Sequence, residues 1–359
     1  MIRTVIFTCV LALMGSTLMA QDVEEEILLK NYRPVSIYKL PEYKADKAKF
    51  TAIDMHSHNY PQTEEGIAEW VETMKANNIR KTILLTYATG AEYDSLHALY
   101  SSYGDYFEVW CGIDYTGYEE PGFAEKAVKE LERLHEVGAT GIGELGDKGS
   151  GLFYSHPTKA FGMHIDDERL DPVLKRAGEL NMPVNIHVAE PYWFYMDMDS
   201  TNDGMMNALN WRLDNKEDIL GHGAMLKTLE NAVAKHPNTT FVAAHLGNSS
   251  YDLAIMDRML EKYPNLYADV SARYAELSQI PRHVQKFITK HQDKIVYGTD
   301  MGTAEGMYNT TFRVLQTMDE HFYEHDSFGY HWSLNGFDLS DEVLRKVYQT
   351  NPEKILNAK

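Results

Sequence analysis

An α/β fold, and within that class a closed (β/α)8 TIM barrel, is predicted by three features of this 359-residue chain. Eight short apolar runs rich in β-branched and aromatic residues recur along it, and stretches of helical period separate them. No run is followed by the Gly-x-Gly-x-x-Gly turn of a dinucleotide-binding sheet; the Gly141 and Gly143 pair leads into Glu144 instead. Strands that alternate with helices pair in parallel through right-handed crossovers, and eight such units suggest a barrel with its helices outside. An open doubly wound sheet is the runner-up. With 44% hydrophobic residues the chain can bury a substantial core, as one large domain or two ordinary ones.

The first element stands outside the barrel. Residues 1–20 read as a cleaved signal peptide: a short charged start, a mostly apolar stretch from Thr4 to Leu18, and Met19-Ala20-Gln21 ahead of the acidic DVEEE. The apolar run is too short to span a bilayer comfortably, so the expected product is soluble, periplasmic or secreted, with no membrane association after cleavage. Cys9 falls inside this segment, which leaves Cys111 alone and no internal disulfide. Residues 21–50 are expected to form an extension wrapped over the domain, and residues 51–359 the single barrel domain.

The first strand is FTAIDMHSH (50–58), and Ile67, Trp70, Val71 and Met74 behind it keep the spacing of a buried helix face. KTILLTY (81–87) and FEVWCGIDY (107–115) are the second and third strands. Phe123, Ala127, Leu131 and Leu134 then form an apolar stripe that Gly138 ends. ATGIGEL (139–145) is the fourth. Val173, Leu174, Ala177 and Leu180 deliver the chain into MPVNIHVAE (182–190), and Met225, Leu226, Leu229 and Val233 deliver it into TTFVAAHLG (239–247). NLYADVS (265–271) and KIVYGTD (294–300) complete the set. Ser340 before Asp341 and Glu342 has the form of a helix N-cap with an acidic first turn. Two long insertions, at about 149–166 and 190–221, follow strands four and five on the face where barrels build sites; the second either shapes a substrate pocket or is an ordinary surface insertion.

A formal charge of −19, from 53 acidic and 34 basic side chains, repels phosphate backbones and excludes nucleic acid as a natural partner. A small-molecule substrate is expected, and a homo-oligomer is left open.

Side chains alternate along a strand, so His56 and His58 point to the same side, one pleat repeat apart. Neutral imidazole is the commonest metal ligand, yet such a pair on its own is equally a strand end with two idle histidines. Polar residues recur at the carboxyl ends of later strands: Glu144 in GIGEL, His187 in VNIHV, His245 in FVAAHLG and Asp300 in VYGTD. A lone buried histidine is ordinarily a hydrogen-bonded core residue, and a lone Asp300 could cap a helix. Five strands repeating one pattern, on the face where barrel enzymes carry their chemistry, point to a metal site.

The motifs DMHSH, DDERLDPVLKRAGELNMPVNIHV, HPNTTFVAAHLG with YPNLYADVSA behind it, VYGTDM and LSDEVLRKVYQTNPEKILN occur in that order. Together they resemble the amidohydrolase superfamily of metal-dependent barrels, in its amidohydrolase 2 branch of hydrolases and decarboxylases, from about Thr51 to the C-terminus. The segment before Thr51 and both insertions fall outside the resemblance. It implies a barrel of the metal-dependent hydrolase type with His56, His58 and His187 as ligands. Asp300 is then a further ligand and the proton carrier for the attacking water, and His245 is a second-sphere base or the ligand of a second metal. Such a donor set suits Zn2+, as one or two ions, with Mn2+ or Fe2+ as alternatives. A bound divalent ion brings the pKa of water near 7 and polarises a carbonyl, while a nearby carboxylate or imidazole moves protons.

Many superfamily members place a carboxylated lysine on the fourth strand, where this chain has Glu144, with Lys148 four residues later. GIGELGD is similar to the fourth-strand motif of TatD-type deoxyribonucleases, in which the glutamate bridges a metal pair. Glu144 is thus either a ligand or a group that orients substrate or water. Arg273 in DVSAR either clamps a substrate carboxylate through a bidentate fork or forms a surface salt bridge. The expected activity is hydrolysis of a C–O or C–N bond in a lactone, ester or amide. Decarboxylation is the alternative. A non-catalytic binding protein is opposed by the complete donor set, and a TatD-like nuclease by the charge.

Overall fold

The computed structural model describes residues 27–152, 159–213 and 216–357. The signal peptide read from residues 1–20, with Cys9, lies outside the described residues, as do positions 21–26 of the extension and 153–158 of the first insertion. Eight parallel strands follow in chain order: β1 (Ala52–Ser57), β2 (Ile79–Leu85), β3 (Phe107–Trp110), β4 (Ile142–Asp147), β5 (Val184–Val188), β6 (Phe241–Ala243), β7 (Leu266–Asp269) and β8 (Ile295–Val296). They form two ladders, β1-β2-β3 and β4-β5-β6-β7-β8. Backbone hydrogen bonds join the ladders at both seams. Cys111 N donates to Gly141 O (3.0 Å) and Gly143 N to Cys111 O (2.8 Å) at one, while Met55 N donates to Tyr297 O (3.0 Å) and Thr299 N to His56 O (3.1 Å) at the other. The fold is the (β/α)8 barrel that the alternation predicts.

The helices are α1 (Glu64–Ala76), α2 (Gly90–Ser101), α3 (Phe123–Val137), α4 (Asp171–Glu179), α5 (Met205–Trp211), α6 (His222–Lys235), α7 (Leu253–Lys262), α8 (Tyr274–Leu277), α9 (Pro281–Lys290), α10 (Glu305–Gln316), α11 (Asp341–Arg345) and α12 (Asn351–Leu356). Ile67, Trp70, Val71 and Met74 are the buried face of α1, and Phe123, Ala127, Leu131 and Leu134 that of α3. Gly138 closes α3 at φ 133°, where a β-carbon would be strained. Ser340 caps α11 by accepting from Val343 N. Within the barrel, Ile53, Met55, Ile83, Leu85, Trp110, Val242, Tyr267 and Val296 pack together, a second layer beside the larger core between strands and helices.

Three predicted strands, β3, β6 and β8, stop four or five residues before their apolar runs end. β6 stops at Ala243 because His245, Leu246 and Gly247 turn left-handed, at φ 56°, 55° and 58°. β8 stops at Val296 because Asp300, at φ 60°, turns its amide back to His56 O (2.9 Å). β3 stops at Trp110, where the chain crosses to β4 through Cys111. Close approach of β8 to β1 also needs Gly298, where a β-carbon would lie 2.7 Å from His56 Cβ.

Cys111 is buried and unpaired by disulfide. No helix among the described residues is long and apolar enough to cross a membrane. The described extension runs against the end of α10 and the segment after it, with Lys49 N donating to Gln316 Oε1 (2.6 Å) and Tyr43 N to Asp319 Oδ1 (2.7 Å).

On the outer layer, Glu230 of α6 accepts from Arg258 and Lys262 of α7 and from Tyr263 just beyond it, and these bonds hold its carboxyl down at about 2 against the effect of burial. A carboxyl depressed in the folded state adds stability above its unfolded value, and that stability fades as pH falls from about 4.5 towards about 2. Glu230→Gln is therefore expected to lower the urea unfolding free energy by about 1–2 kcal/mol at pH 7, a figure discounted for the half-exposed cations. The deficit should shrink at pH 3. An equal deficit at both pH values would remove the ion pairs from the account.

Candidate metal centre

The strand-end residues singled out in the sequence converge at the carboxyl ends of the barrel strands. His56 (β1) and His58 (just past β1) stand with Glu144 (β4), His187 (β5), His245 (after β6) and Asp300 (after β8) around one point. Several non-glycine residues on this rim take left-handed backbone, among them Tyr87, Ala189, His245, Ala272 and Asp300, at φ between 54° and 63°. Such conformations concentrate where surrounding structure holds a functional group in a set direction.

Each imidazole has one nitrogen committed away from the centre, as assigned from its partners. His56 Nδ1 donates to Asp269 Oδ2 (3.0 Å), and His58 Nδ1 to Leu85 O (2.7 Å). His187 Nε2 donates to Ala189 O (2.8 Å), and His245 Nδ1 to Ser271 O (2.9 Å). Bonds of this kind set the ring tautomer and leave the opposite nitrogen with its lone pair facing inward.

Two carboxylates meet these inward nitrogens. Glu144 Oε1 lies 2.9 Å from His187 Nδ1, 3.3 Å from His245 Nε2 and 3.7 Å from His56 Nε2, and its Oε2 lies 3.7 Å from His58 Nε2. Asp300 Oδ1 lies 2.9 Å from His58 Nε2 and 3.6 Å from His56 Nε2, and Oδ2 is 3.6 Å from His245 Nε2. Four imidazole lone pairs pointed at two carboxylates repel unless cations sit among them. His56 Nε2 is buried and has no hydrogen-bond partner, as a nitrogen that serves a cation would be. His56, His58 and Glu144 have ligand atoms within 4.8 Å of one another, as do Glu144, His187 and His245. A third group is His56, His245 and Asp269, so Glu144 belongs to two of the three donor groups. The residues fit a divalent metal site with nitrogen and oxygen ligands.

Without a metal, protons take the cation's place. Burial alone would lower the pKa of His56, but Asp269, Asp300 and Glu144 raise it to about 10. His187 is raised to about 9, again against burial, chiefly by Glu144. His245 is lowered by burial, since its bond to Glu144 does not compensate. Burial works against ionised Glu144 and Asp300, yet the surrounding imidazoles hold both carboxyls below the usual range.

Above the centre lies a cavity of about 440 Å³, reached by His58, Glu144, His187, His245 and Asp300. Phe194, Asn207 and Trp211 of the second insertion line it, together with Phe328 and Tyr330 from the segment after α10. Arg273 also lines the cavity, where a substrate group could meet it, and the surface salt bridge weighed for it is corrected. It is buried rather than on the surface, with Nη1 donating to buried Glu276 Oε1 (2.6 Å) and Nε without a partner. Glu276 in turn accepts from Tyr330 OH (2.7 Å), which accepts from Asn207 Nδ2 (3.0 Å). Lys148 is ion-paired with buried Glu190 beside His187 and is not itself among the centre's donors.

Sequence reasoning missed several supporting residues. Asp269 at the end of β7 holds His56 and also accepts from His245 N (2.9 Å), Ser271 N (3.1 Å) and Asn185 Nδ2 (3.2 Å). Asp54 accepts from His56 N (3.1 Å), Thr299 N (3.0 Å) and Thr299 Oγ1 (2.6 Å), tying β1 to the chain after β8. Tyr87 OH donates to Glu144 Oε2 (2.8 Å) while its ring stacks on His58. Asp269 and Tyr87 follow the same rule that found the others, a polar residue at the carboxyl end of an apolar run. The cavity-lining segment at 327–330 carries no periodic signal.

A (β/α)8 barrel with a histidine and carboxylate cluster at the carboxyl ends of its strands defines the class of barrel metalloenzymes. Within that class, the chain belongs to the amidohydrolase family, whose amidohydrolase 2 model, described as Amidohydrolase, matches residues 120–358. Solved structures agree on the fold. A putative amidohydrolase from Staphylococcus aureus is 16% identical with a TM-score of 0.54, covering 85% of this chain and 99% of that one. A dihydroxybenzoic acid decarboxylase from Polaromonas sp. JS666, solved with manganese and 2-nitroresorcinol, is 14% identical with a TM-score of 0.53, covering 86% and 97%. An amidohydrolase from Burkholderia multivorans with bound zinc is 14% identical with a TM-score of 0.50, covering 85% and 98%. No curated protein matches this chain.

Proposed function

We propose that this protein is a metal-dependent hydrolase of a small-molecule C–O or C–N bond, in a lactone, ester or amide, with His56, His58, His187 and Glu144 holding the ion. Zinc is the first choice, manganese or iron the alternatives, and Glu144, shared by two of the donor groups, allows one ion or two. The ion supplies Lewis acidity, polarising a carbonyl and acidifying water. Asp300 carries the reading: its carboxylate is bonded to His58 and stands 3.6 Å from His245, yet lines the cavity. Held ionised by its imidazole neighbours, it takes a proton from the attacking water and returns it to the leaving group. His245 Nε2 steadies Asp300 Oδ2 in that exchange. Phe194, Phe328 and Tyr330 keep bulk water from the reacting group.

The cavity's two cations favour an uncharged substrate. Lys148 is paired with Glu190 and Arg273 with Glu276, so an anionic substrate would compete with a buried carboxylate for either. Decarboxylation is the second reading, and Arg273 favours it, because it sets a guanidinium in the cavity wall where a substrate carboxylate can pair with it. Turnover in 18O-labelled water separates the two. The hydrolase reading expects one label per turnover, in the carboxylate formed; unlabelled product with release of carbon dioxide would replace it by the lyase.

Metal removal is the companion test. Dialysis against a chelator should abolish turnover, and zinc, manganese or iron should restore it, with metal content tracking activity. Full activity in protein stripped of stoichiometric metal would end the metal-dependent reading. Export through the N-terminal segment remains part of the proposal, and the length of the mature chain by mass spectrometry tests it.

A further inference from the structure

Two segments that wall the cavity are fastened to the barrel at one buried carboxylate. Arg273 caps the start of α8, just past the left-handed turn at Ala272, so Glu276 stands one helical turn further on and pairs with it. Arg273, Tyr330 and Asn207 all line the cavity, whereas the Glu276 side chain is wholly buried behind them. Glu276 Oε1 accepts from Arg273 Nη1 (2.6 Å) and from Tyr330 OH (2.7 Å), and Tyr330 OH accepts from Asn207 Nδ2 (3.0 Å). The bonds thus run from the barrel through the segment after α10 to α5 of the second insertion. More of the same segment rests on α8: the Trp332 ring stacks on Tyr330 at 4.1 Å between centroids and its Nε1 donates to Ala275 O (3.2 Å).

Stability alone does not account for a charged pair at this place. The desolvation of a buried ion pair offsets most of its attraction, so apolar side chains of similar size would hold the wall as well. What the pair does supply is charge. A guanidinium in a cavity wall is a seat for a carboxylate, and Glu276 occupies it from the far side. The other cavity cation, Lys148, is paired with Glu190, which lies 3.8 Å from His187 Nε2 and so belongs to the surroundings of the metal donors. Glu276 instead gives its bonds to Arg273 and Tyr330, in the part of the wall that meets the body of the substrate.

We propose that, in a cavity that is the substrate site of the hydrolase proposed above, Glu276 is a positioning residue that sets the charge of the substrate. By holding and neutralising Arg273 from behind the wall, it removes the advantage that a substrate carboxylate would otherwise have there. An uncharged ester, lactone or amide, with no second carboxylate to bring near Glu276, then meets the wall without repulsion. One buried charge thus separates two substrate classes on the same scaffold: neutral compounds with Glu276 in place, and carboxylate-bearing compounds once its charge is removed.

Titration calorimetry on the zinc-loaded full chain tests the proposal without turnover. The probes are succinate, glutarate and adipate, each beside its monoamide, so that one carboxylate of every probe is available to the metal centre and a pair differs only in charge at the far end. The wild type is expected to show no preference for the dicarboxylates. Glu276→Gln keeps an acceptor for Arg273 and Tyr330 and puts its NH2 where Oε2 makes no bond. It should tighten the best-fitting dicarboxylate about tenfold or more relative to its monoamide, the order of one charge-assisted hydrogen bond. Adding Arg273→Met should return the wild-type ratio; this double variant is again neutral at the pair, and it carries the test should the single variant not fold. Tyr330→Phe, which unties the wall but leaves the pair, should move both members of a probe pair together and not their ratio. A wild type that already prefers a dicarboxylate by about tenfold, a Glu276→Gln ratio equal to the wild type's, or a gain that survives Arg273→Met would overturn the proposal. So would a failure of every probe to bind Glu276→Gln. None of these outcomes reports which bond is cleaved, so labelled water can exclude the hydrolase while the result for Glu276 stands, and the reverse.

Discussion

Asp300→Asn is expected to lower kcat by about 10²- to 10⁴-fold, the range over which a positioned proton carrier contributes. The substitution keeps the size of the side chain and the backbone bond from residue 300 to His56 O. It removes only the ability to accept a proton at an oxygen that faces both the cavity and the imidazoles. His56, His58, His187 and Glu144 are untouched, so metal content measured by mass spectrometry should stay near the wild-type stoichiometry while turnover collapses. KM should move far less than kcat, because Asp300 acts on the reacting water rather than on the body of the substrate. Wild-type turnover in this variant would take Asp300 out of the mechanism. Loss of metal in proportion to loss of turnover would recast it as a ligand alone.

Asp269→Asn is expected to weaken metal affinity by about 10- to 100-fold although the oxygens of Asp269 are taken up by His56, His245, Ser271 and Asn185, the usual effect of losing the partner that orients a ligand. Asp269 accepts from the ring of His56 and from the backbone of His245, so one buried carboxylate sets the direction of two donors. An amide in its place can turn its NH2 towards His56 Nδ1. The imidazole then takes the other tautomer, with its proton at Nε2 and no lone pair for the metal. The carboxyl of Asp269 is held well below the usual range by His56 and by its hydrogen bonds, against burial, so the charge lost is one the fold actively keeps. Stripping a buried, hydrogen-bonded charge of its partner costs about 3–5 kcal/mol, and the metal-free variant should unfold at lower denaturant as well. Competition with a chromophoric chelator measures the affinity. Wild-type affinity would show that His56 needs no such support.

The barrel itself was readable because its signals are local. Strand runs such as KTILLTY and NLYADVS, and helix faces such as that of Phe123, Ala127, Leu131 and Leu134, report burial within a few residues of one another. The same holds for His56, His58, Glu144, His187, His245 and Asp300, each marked by a polar group where an apolar strand ends. Asp269 and Tyr87 carry that mark too, but inside NLYADVS and KTILLTY nothing separates them from an ordinary polar strand end. The limits of β6 and β8 were not readable. They depend on left-handed turns at His245 and Asp300, and those turns are held by bonds to distant residues, Asp269 and His56.

The sequence by itself determined which residues could meet: strand periodicity and the order of the motifs put six donors on one face of one barrel. Only the tertiary structure decided how they meet. It pairs Glu144 with the inward nitrogens of four histidines, aims His56 from Asp269 across 213 positions of chain, and buries Arg273 against Glu276 instead of leaving it free on the surface. The physical reason is range. Periodicity is a property of neighbours along the chain, whereas tautomer, ionisation and pairing are set by contacts that exist only once strands from both ends of the sequence close around a common centre.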